Sequence, residues 1–411
     1  MSDFTILRFH ECSENLLSQL AKSRKWIFFW CCAILLVFFN LGLDVIAGSE
    51  GRWFAVVREM LLSGDWLHPT INGQPYFDKP LVSYWFMAFL SKAVNQGVLN
   101  EFLARAPSAI FALLAMVALI RLARRLYGES AAWLAAWIFL TVYPFAYWGR
   151  RAEADMESLA FILIAVTWYV ASRETKSFFR YFLFWLVCAI GAQTKGLPCF
   201  AVPVGVVLVD VAVRNAWLKH LNWKFLLAFL CGMACYFLPF LAEGMTQDGG
   251  YDADGLTLVF RENVVRAFNP WDHKDSPWFM YFPWTARLML PWTPFFVLAL
   301  AAFLMRGWKK ASQDDRWLVL SIALIFTMFA ISESRRVYYI LPIVPFCVLL
   351  TAAWLTREDL PLHRLTEILF RIVDFAIPVA LLLGLLAAPL YPFAIHDRIF
   401  PEGVPLPYWY P

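Results

Sequence analysis

Residues 43–85 read LDVIAGSEGRWFAVVREMLLSGDWLHPTINGQPYFDKPLVSYW. The stretch follows an apolar run at 26–43 and gathers Asp44, Glu50, Arg52, Arg58, Glu59, Asp65, His68, Asp78 and Lys79 in a chain that is otherwise mostly apolar. Charge concentrated where a chain leaves an apolar run marks a loop at a membrane surface. The remaining sequence is therefore read as spans and loops.

Composition agrees. At 411 residues, 61% hydrophobic and 16% charged, the chain is too apolar for one soluble core and fits a polytopic membrane protein. Its 20 tryptophans suit span ends set among lipid headgroups. The net charge of +4 is small and spread over many loops, without a basic arm interleaved with aromatics, which points to anionic headgroups and excludes nucleic acid as a partner. The eight cysteines fall mostly inside apolar runs, with no CxxC or metal-ligand spacing, and read as small core residues.

Runs of about 20 residues, the length that crosses a bilayer, lie near 26–43, 102–121, 131–148, 156–172, 178–194, 198–213, 223–242, 280–304, 316–332, 337–355 and 372–393. They predict an all-α polytopic protein of about eleven transmembrane helices. Lys22, Arg24 and Lys25 before the first run, with Val45-Ile46-Ala47 after it, would also suit a signal peptide; the uncleaved anchor is the preferred reading, and either way the next loop is translocated. The segment from Pro80 to Gln96 is short and broken by Ser83, Ser91, Lys92 and Asn95, so it is expected to be an amphipathic juxtamembrane helix. Leaving it out of the span count puts Lys22/Arg24/Lys25, Arg121/Arg124/Arg125, Arg173/Lys176/Arg180, Arg214/Lys219/Lys224, Arg306/Lys309/Lys310 and Arg357/Arg364/Arg371 on one side, the cytoplasmic one. Residues 1–25 are then inside, the loops 44–101 and 243–279 and the tail 394–411 outside, and 26–393 form one membrane-embedded domain.

That topology strands Arg52, Arg58, Lys79, Arg150, Arg151, Lys195, Arg261, Arg266, Lys274, Arg335 and Arg336 on the outer side. Their simplest shared partner is an anion, and the anion at hand in a membrane is a lipid phosphate. Anchoring in the outer leaflet is the alternative for any one of them. Carboxylates show the same bias, at Glu50, Asp78, Glu153, Asp155, Glu157, Glu243, Asp272, Asp275 and Glu333, whereas an ion-coupled transporter would place ionisable groups near mid-bilayer.

Glu50 opens a stretch with apolar residues at helical spacing, so its carboxylate falls at a helix start, either as a complement to the dipole or as an acid facing the headgroup zone. In Asp78-Lys79-Pro80 the proline excludes a helical Lys79 and starts the next helix, which holds the ammonium at the surface; a local ion pair is the other reading. Asp155 opens a span, where an unpartnered carboxylate is costly, and ranks above Glu153 and Glu157 as a functional acid. Lys195 sits in the short turn Gln193-Thr194-Lys195-Gly196-Leu197-Pro198. His273 beside Asp272 is a weak metal candidate, and a divalent ion shared by Asp78 and His273 is one arrangement to test. Ser332-Glu-Ser-Arg335-Arg336-Val-Tyr338-Tyr339 brings two guanidiniums and two phenols to one span end.

Taken together, GSEGRWFAVVREMLLSGDWLHPTINGQPYFDKPLVSYW, AEADMESL, QTKGLP, HKDSPWF and SESRRVYYILP, in that order, resemble the bacterial C-type glycosyltransferases related to protein O-mannosyltransferases, in particular the 4-amino-4-deoxy-L-arabinose lipid A transferase group. The resemblance runs from about residue 40 to 355. It implies the C-type glycosyltransferase fold in the bacterial inner membrane. The implied reaction is an inverting transfer of a sugar from undecaprenyl phosphate to a periplasmic acceptor such as lipid A, a glycolipid or a protein. Position by position, it implies Glu50 and Asp155 as the catalytic acids. It implies Lys79, Lys274 of the HKxSPW segment, Arg335, Arg336, Tyr338 and Tyr339 as the groups that hold carrier phosphate, and Lys195 and Arg266, as further outer-side cations, are expected to join them in neutralising it. Two departures stand out: Ser49 precedes Glu50 where many relatives carry an Asp-Glu pair, and the chain ends at Pro411, where lipid A transferases usually continue into more spans and a soluble domain. A transporter or flippase of lipid-linked saccharide, or a polymerase or ligase of surface polysaccharide, is the competing reading.

Overall fold

The computed structural model describes residues 24–246, 255–269 and 276–372, with positions 375 and 379 beyond. Helix α1 covers 24–38, followed by α2 (Ser49–Ser63), a small ladder of β1 (Thr70–Ile71) and β2 (Gln74–Pro75), and α3 (Val82–Asn95). Next come α4 (Glu101–Thr141), α5 (Tyr143–Trp148), α6 (Asp155–Ser172), α7 (Phe178–Lys195), α8 (Pro198–Val213) and α9 (Trp223–Met245). The short α10 (Gly255–Phe260) and α11 (Arg266–Phe268) flank a π-turn at Arg261–Val265, and α12 (Tyr281–Leu288), α13 (Thr293–Arg306), α14 (Gln313–Ile331) and α15 (Val344–Leu355) complete the set. The predicted run at 372–393 lies almost wholly outside the described residues.

Three of these helices, α4, α6 and α9, are each long and apolar enough to cross a membrane, and the pair around α12 and α13, bent by 115°, makes a fourth if counted as one span. Backbone geometry explains why α4 is so long: at Gly128 φ is 87° and ψ −174°, outside helical space, so two of the predicted spans meet there. A residue without Cβ takes that conformation at little cost. Asn100 starts α4 by accepting the Leu103 amide at 2.8 Å.

The core forms where small residues let helices approach closely. α4 packs on α6 and α15, α6 on α7, and α7 on α9. Ala104, Ala109, Ala112, Ala115 and Ala123 of α4 and Ala160 of α6 are fully buried, the composition expected where packing rather than water drives helix association. α15 is apolar on every side and buried almost throughout. α9 instead turns Leu226, Leu230, Leu238 and Leu241 outward, as a lipid-facing helix would.

α3 departs from the expected amphipathic pattern. Its serines, Ser83 and Ser91, face inward with Tyr84, Met87 and Ala88 against α2, α4 and α7, while Phe89 and Val94 point out. The breaks in hydrophobicity mark its protein-facing side. Residues 70–75 form a hairpin whose turn, Asn72-Gly73, has positive φ at both positions, as a two-residue turn between twisted strands requires. Glu59 clamps it by accepting from the Thr70 hydroxyl at 2.6 Å and the Asn72 amide at 2.6 Å.

Four of the arginines assigned to one side are held by acids. Arg173 and Arg214 share Asp210 and Asp314, Arg357 pairs with Asp315 at 3.0 Å, and Arg306 pairs with Asp359 at 3.0 Å. This network ties α6, α8, α14 and the segment after α15 together. The chemically mixed loops converge on another region.

Candidate active site

Six separate stretches of chain enclose a cavity of about 790 Å³. α2 contributes Ser49 and Arg52, and the hairpin exit contributes Tyr76, Asp78 and Lys79. The α5–α6 turn and the start of α6 bring Glu153 and Asp155, and the α7–α8 turn brings Lys195. Glu262, Asn263 and Arg266 close one wall; Ser332, Ser334, Arg336, Tyr338 and Tyr339 close another. Between them lies an apolar surface of Leu197, Pro198, Ala201, Met328, Phe329 and Leu341.

Helix ends place the central pair. Asp155 lies in the first turn of α6 and Lys195 in the last turn of α7, so each charge complements its own helix dipole, and the two form an ion pair. The Lys195 ammonium also lies 4.9 Å above the Tyr338 ring. Lys79 donates to the Asp78 carbonyl at 3.1 Å and stands 3.7 Å from the Asp78 carboxylate and 3.9 Å from Glu262. Burial, with the nearby charges of Arg266 and Lys195, pushes the Lys79 ammonium below its usual pKa against the pull of Asp78 and Glu262. Glu262 is pushed up by burial and by the Asp78 charge, despite Arg266 at 2.7 Å.

Of the groups expected to act here, Asp155, Lys79, Lys195, Arg266, Arg336, Tyr338, Tyr339 and Asp78 all line the cavity. Glu50 does not. It is buried behind the cavity wall, where its two oxygens accept from Arg105 at 2.9 and 3.1 Å and from the Ala152 amide at 2.8 Å, with Arg151 3.6 Å away. Burial raises its pKa, but Arg105, the Ala152 amide and Arg151 outweigh that and hold the carboxyl below its ordinary range. A carboxylate so fully occupied is a poor base, and the structure does not place Glu50 with the other expected site residues. The reason is helical phase: Ser49 and Arg52, three residues apart, share one face of α2, and Glu50 is turned roughly 100° away.

Arg335 is likewise not brought to the cavity. Its guanidinium donates to the carbonyls of Ser276 at 2.9 Å and Ala330 at 3.3 Å. His273 and Lys274 lie outside the described residues. Asp78 does not suit the metal reading, since its carboxylate accepts from Tyr76 at 3.1 Å and faces the cations Arg52 and Lys79, each at 3.7 Å. Among the described residues no group of three His, Cys, Asp or Glu side chains is arranged to hold a metal.

Glu262 and Asn263 are not singled out by sequence, whereas Arg52 is one of the stranded outer cations, Glu153 ranks below Asp155, and Ser49 is noted only for standing where relatives carry an acid. Asn263 accepts the Leu197 amide at 3.0 Å and lies across Gly196, whose φ of +117° already excludes most side chains. A Cβ at Gly196 would fall 2.0 Å from the Asn263 side-chain oxygen. Gly196→Ala is therefore expected to destabilise the protein by about 1–3 kcal/mol. Thermal unfolding in detergent would show this as a lowered midpoint, and the substitution should also loosen the 261–266 wall.

Known proteins resemble this chain over much of its length. Residues 78–242 match the dolichyl-phosphate-mannose-protein mannosyltransferase family. The chain is 27% identical over 342 residues to the undecaprenyl phosphate-alpha-4-amino-4-deoxy-L-arabinose arabinosyl transferase of Pseudomonas paraeruginosa, covering 79% of this chain and 60% of that protein. It is 30% identical over 319 residues to the Yersinia enterocolitica protein of the same name, covering 75% of this chain and 55% of that one. The chain thus spans about 60% of the length of the curated relatives it matches. The crystal structure of ArnT from Cupriavidus metallidurans bound to undecaprenyl phosphate superposes with a TM-score of 0.72 at 21% identity, over 90% of this chain and 65% of that one. The resemblance to C-type glycosyltransferases holds, and the chain shares their polytopic membrane fold.

Proposed function

We propose that the protein transfers a sugar from a polyprenyl-phosphate donor, undecaprenyl phosphate in a bacterium, to an envelope acceptor such as lipid A. The reading is carried by one observation: Arg52, Lys79, Lys195, Arg266 and Arg336, from five separate segments, line one cavity beside an apolar wall. Such a site suits a ligand with an anionic head and a hydrocarbon tail. The names of the relatives, which act from undecaprenyl phosphate, support the same choice.

In this reading the carrier phosphate leaves from the anomeric carbon. Charge grows on its bridging oxygen as the bond breaks, and preorganised cations stabilise that charge more in the transition state than in the ground state. Tyr338 and Tyr339 are hydroxyl donors on the same wall. Displacement in a single step, with the acceptor oxygen arriving opposite the departing phosphate, inverts the sugar and leaves nothing covalently bound to the enzyme. The activated phosphodiester supplies the driving force. Residues 26–393 form the transferase unit, with about eleven spans in the inner membrane, the N-terminus in the cytoplasm and the cavity facing the periplasm.

The test is direct. Purified protein in detergent, given undecaprenyl phosphate-α-4-amino-4-deoxy-L-arabinose and lipid A, is expected to release free undecaprenyl phosphate and to add mass to the acceptor. The second arm uses undecaprenyl phosphate-linked hexoses with an envelope-lipid extract. Absence of free undecaprenyl phosphate in every arm overturns the reading, and is the result a flippase would give.

A further inference from the structure

We propose that Glu153, aligned by Ser49, is the carboxylate that takes the proton from the acceptor oxygen during transfer, an assignment that rests on the transfer reading above. Four acids line the cavity: Asp78, Glu153, Asp155 and Glu262. Three of them are bound to cations that line it too. Asp78 is shared by Arg52 and Lys79, Asp155 by Lys195, and Glu262 by Arg266 and Lys79. A carboxylate committed to the cations that hold a phosphate is a weak proton acceptor, because protonating it would unpair a buried charge.

Glu153 is arranged differently. Its nearest cation, Arg151, is 3.4 Å away and also turns toward Glu50 at 3.6 Å, so it is divided between two acids. The Ser49 hydroxyl and Arg151 both donate to the same oxygen, Oε1. Among the described residues Oε2 accepts no hydrogen bond. Glu153 thus keeps one oxygen for a ligand while the other fixes its orientation.

The backbone holds it in place. The Glu153 amide donates to the Arg151 carbonyl at 2.8 Å, and its carbonyl accepts from Ser108 at 3.0 Å. One residue away, the Ala152 amide is tied to Glu50. The buried Glu50 therefore positions Ser49 and Glu153 together, from α2 on one side and the α5–α6 turn on the other. Burial and the neighbouring Asp155 charge raise the Glu153 pKa, while Ser49, Arg151 and Lys195 lower it. Tyr338 is the remaining titratable group whose charge couples to it. A raised carboxyl pKa makes a better base near neutral pH.

The step balances. The acceptor O–H gives its proton to Glu153 Oε2 as its oxygen bonds to the anomeric carbon, and the bond from that carbon to the carrier phosphate breaks with its electron pair going to the phosphate. The products are the glycosylated acceptor, polyprenyl phosphate and a protonated Glu153, which loses its proton to water before the next turnover.

The experiment compares wild type with Glu153→Gln and Ser49→Ala, using undecaprenyl phosphate-linked sugar, an envelope-lipid extract and release of undecaprenyl phosphate as the readout. Glu153→Gln keeps the shape and removes the base, and is expected to lower kcat about 100-fold with little change in donor KM. Ser49→Ala removes a hydrogen bond that favours the charged form, so the pKa of Glu153 rises and the acidic limb of the rate profile moves to higher pH. A purely structural serine would leave that limb where it was. Should Glu153→Gln fail to fold, the Ser49→Ala profile decides. An active wild type with Glu153→Gln equally fast, or with an unmoved limb in Ser49→Ala, overturns this assignment alone; a wild type that releases nothing overturns the transfer reading itself.

Discussion

Arg105→Leu is expected to destabilise the protein by about 3–5 kcal/mol, the cost of leaving a buried carboxylate without its partner. Both members of the pair are nearly inaccessible, Arg105 at 4% and Glu50 at 3%. The guanidinium uses its whole fork: two bonds to Glu50, one from Nη1 to the Leu41 carbonyl at 3.1 Å and another to the Asp44 carbonyl at 2.8 Å, and one from Nη2 to the Val45 carbonyl at 3.4 Å. The single side chain therefore ties α4 to the chain leaving α1 and to the start of α2. Arg105→Lys keeps the charge but has no planar fork, so it should recover only part of the loss. The double variant Arg105→Leu, Glu50→Leu removes the stranded charge, yet three carbonyls lose their donor, so its stability should fall between Arg105→Leu and wild type. Thermal unfolding in detergent micelles ranks the four proteins. Equal midpoints for Arg105→Leu and wild type would show that Glu50 finds another partner or takes up a proton.

The same cluster shows why part of the site was legible in the sequence and part was not. Lys79, Lys195, Arg266 and Arg336 stood out because each violates the expected placement of positive charge, and a violation of topology is visible without coordinates. Asp155 stood out because an acid at a span start needs a partner, which proved to be Lys195. Glu50 was not placed by sequence because Ser49, Glu50 and Arg52 share one short stretch, and only the phase of α2 decides which face the cavity. Arg105 was read as part of a span, with no sign that three carbonyls and a carboxylate would meet it. Glu153 was ranked below Asp155 for lack of any indication that a lysine forty positions later would occupy Asp155. Helix existence follows from local pattern. Which acid stays available is a long-range property, set by partners such as Ser49 and Glu153, 104 positions apart.

Lys79→Met is expected to cut kcat about 10²–10³-fold, the usual loss when one preorganised charge is removed from a developing anion. Pro80 follows it and keeps the residue out of α3, while Asp78 and Glu262 orient the ammonium within the cavity. Methionine fills similar volume without charge, so the fold should tolerate it and unfolding midpoints should match wild type. The pH profile supplies the sharper test. Burial pushes the Lys79 pKa below the ordinary lysine value, so its charge is lost as pH rises through that lowered pKa. Wild-type kcat should therefore show an alkaline limb earlier than a normal lysine would give. Lys79→Arg should abolish that limb, since a guanidinium stays charged throughout, even if the changed geometry lowers the plateau. An alkaline limb that survives unchanged in Lys79→Arg would assign the titration to another group and place Lys79 outside the chemistry of departure.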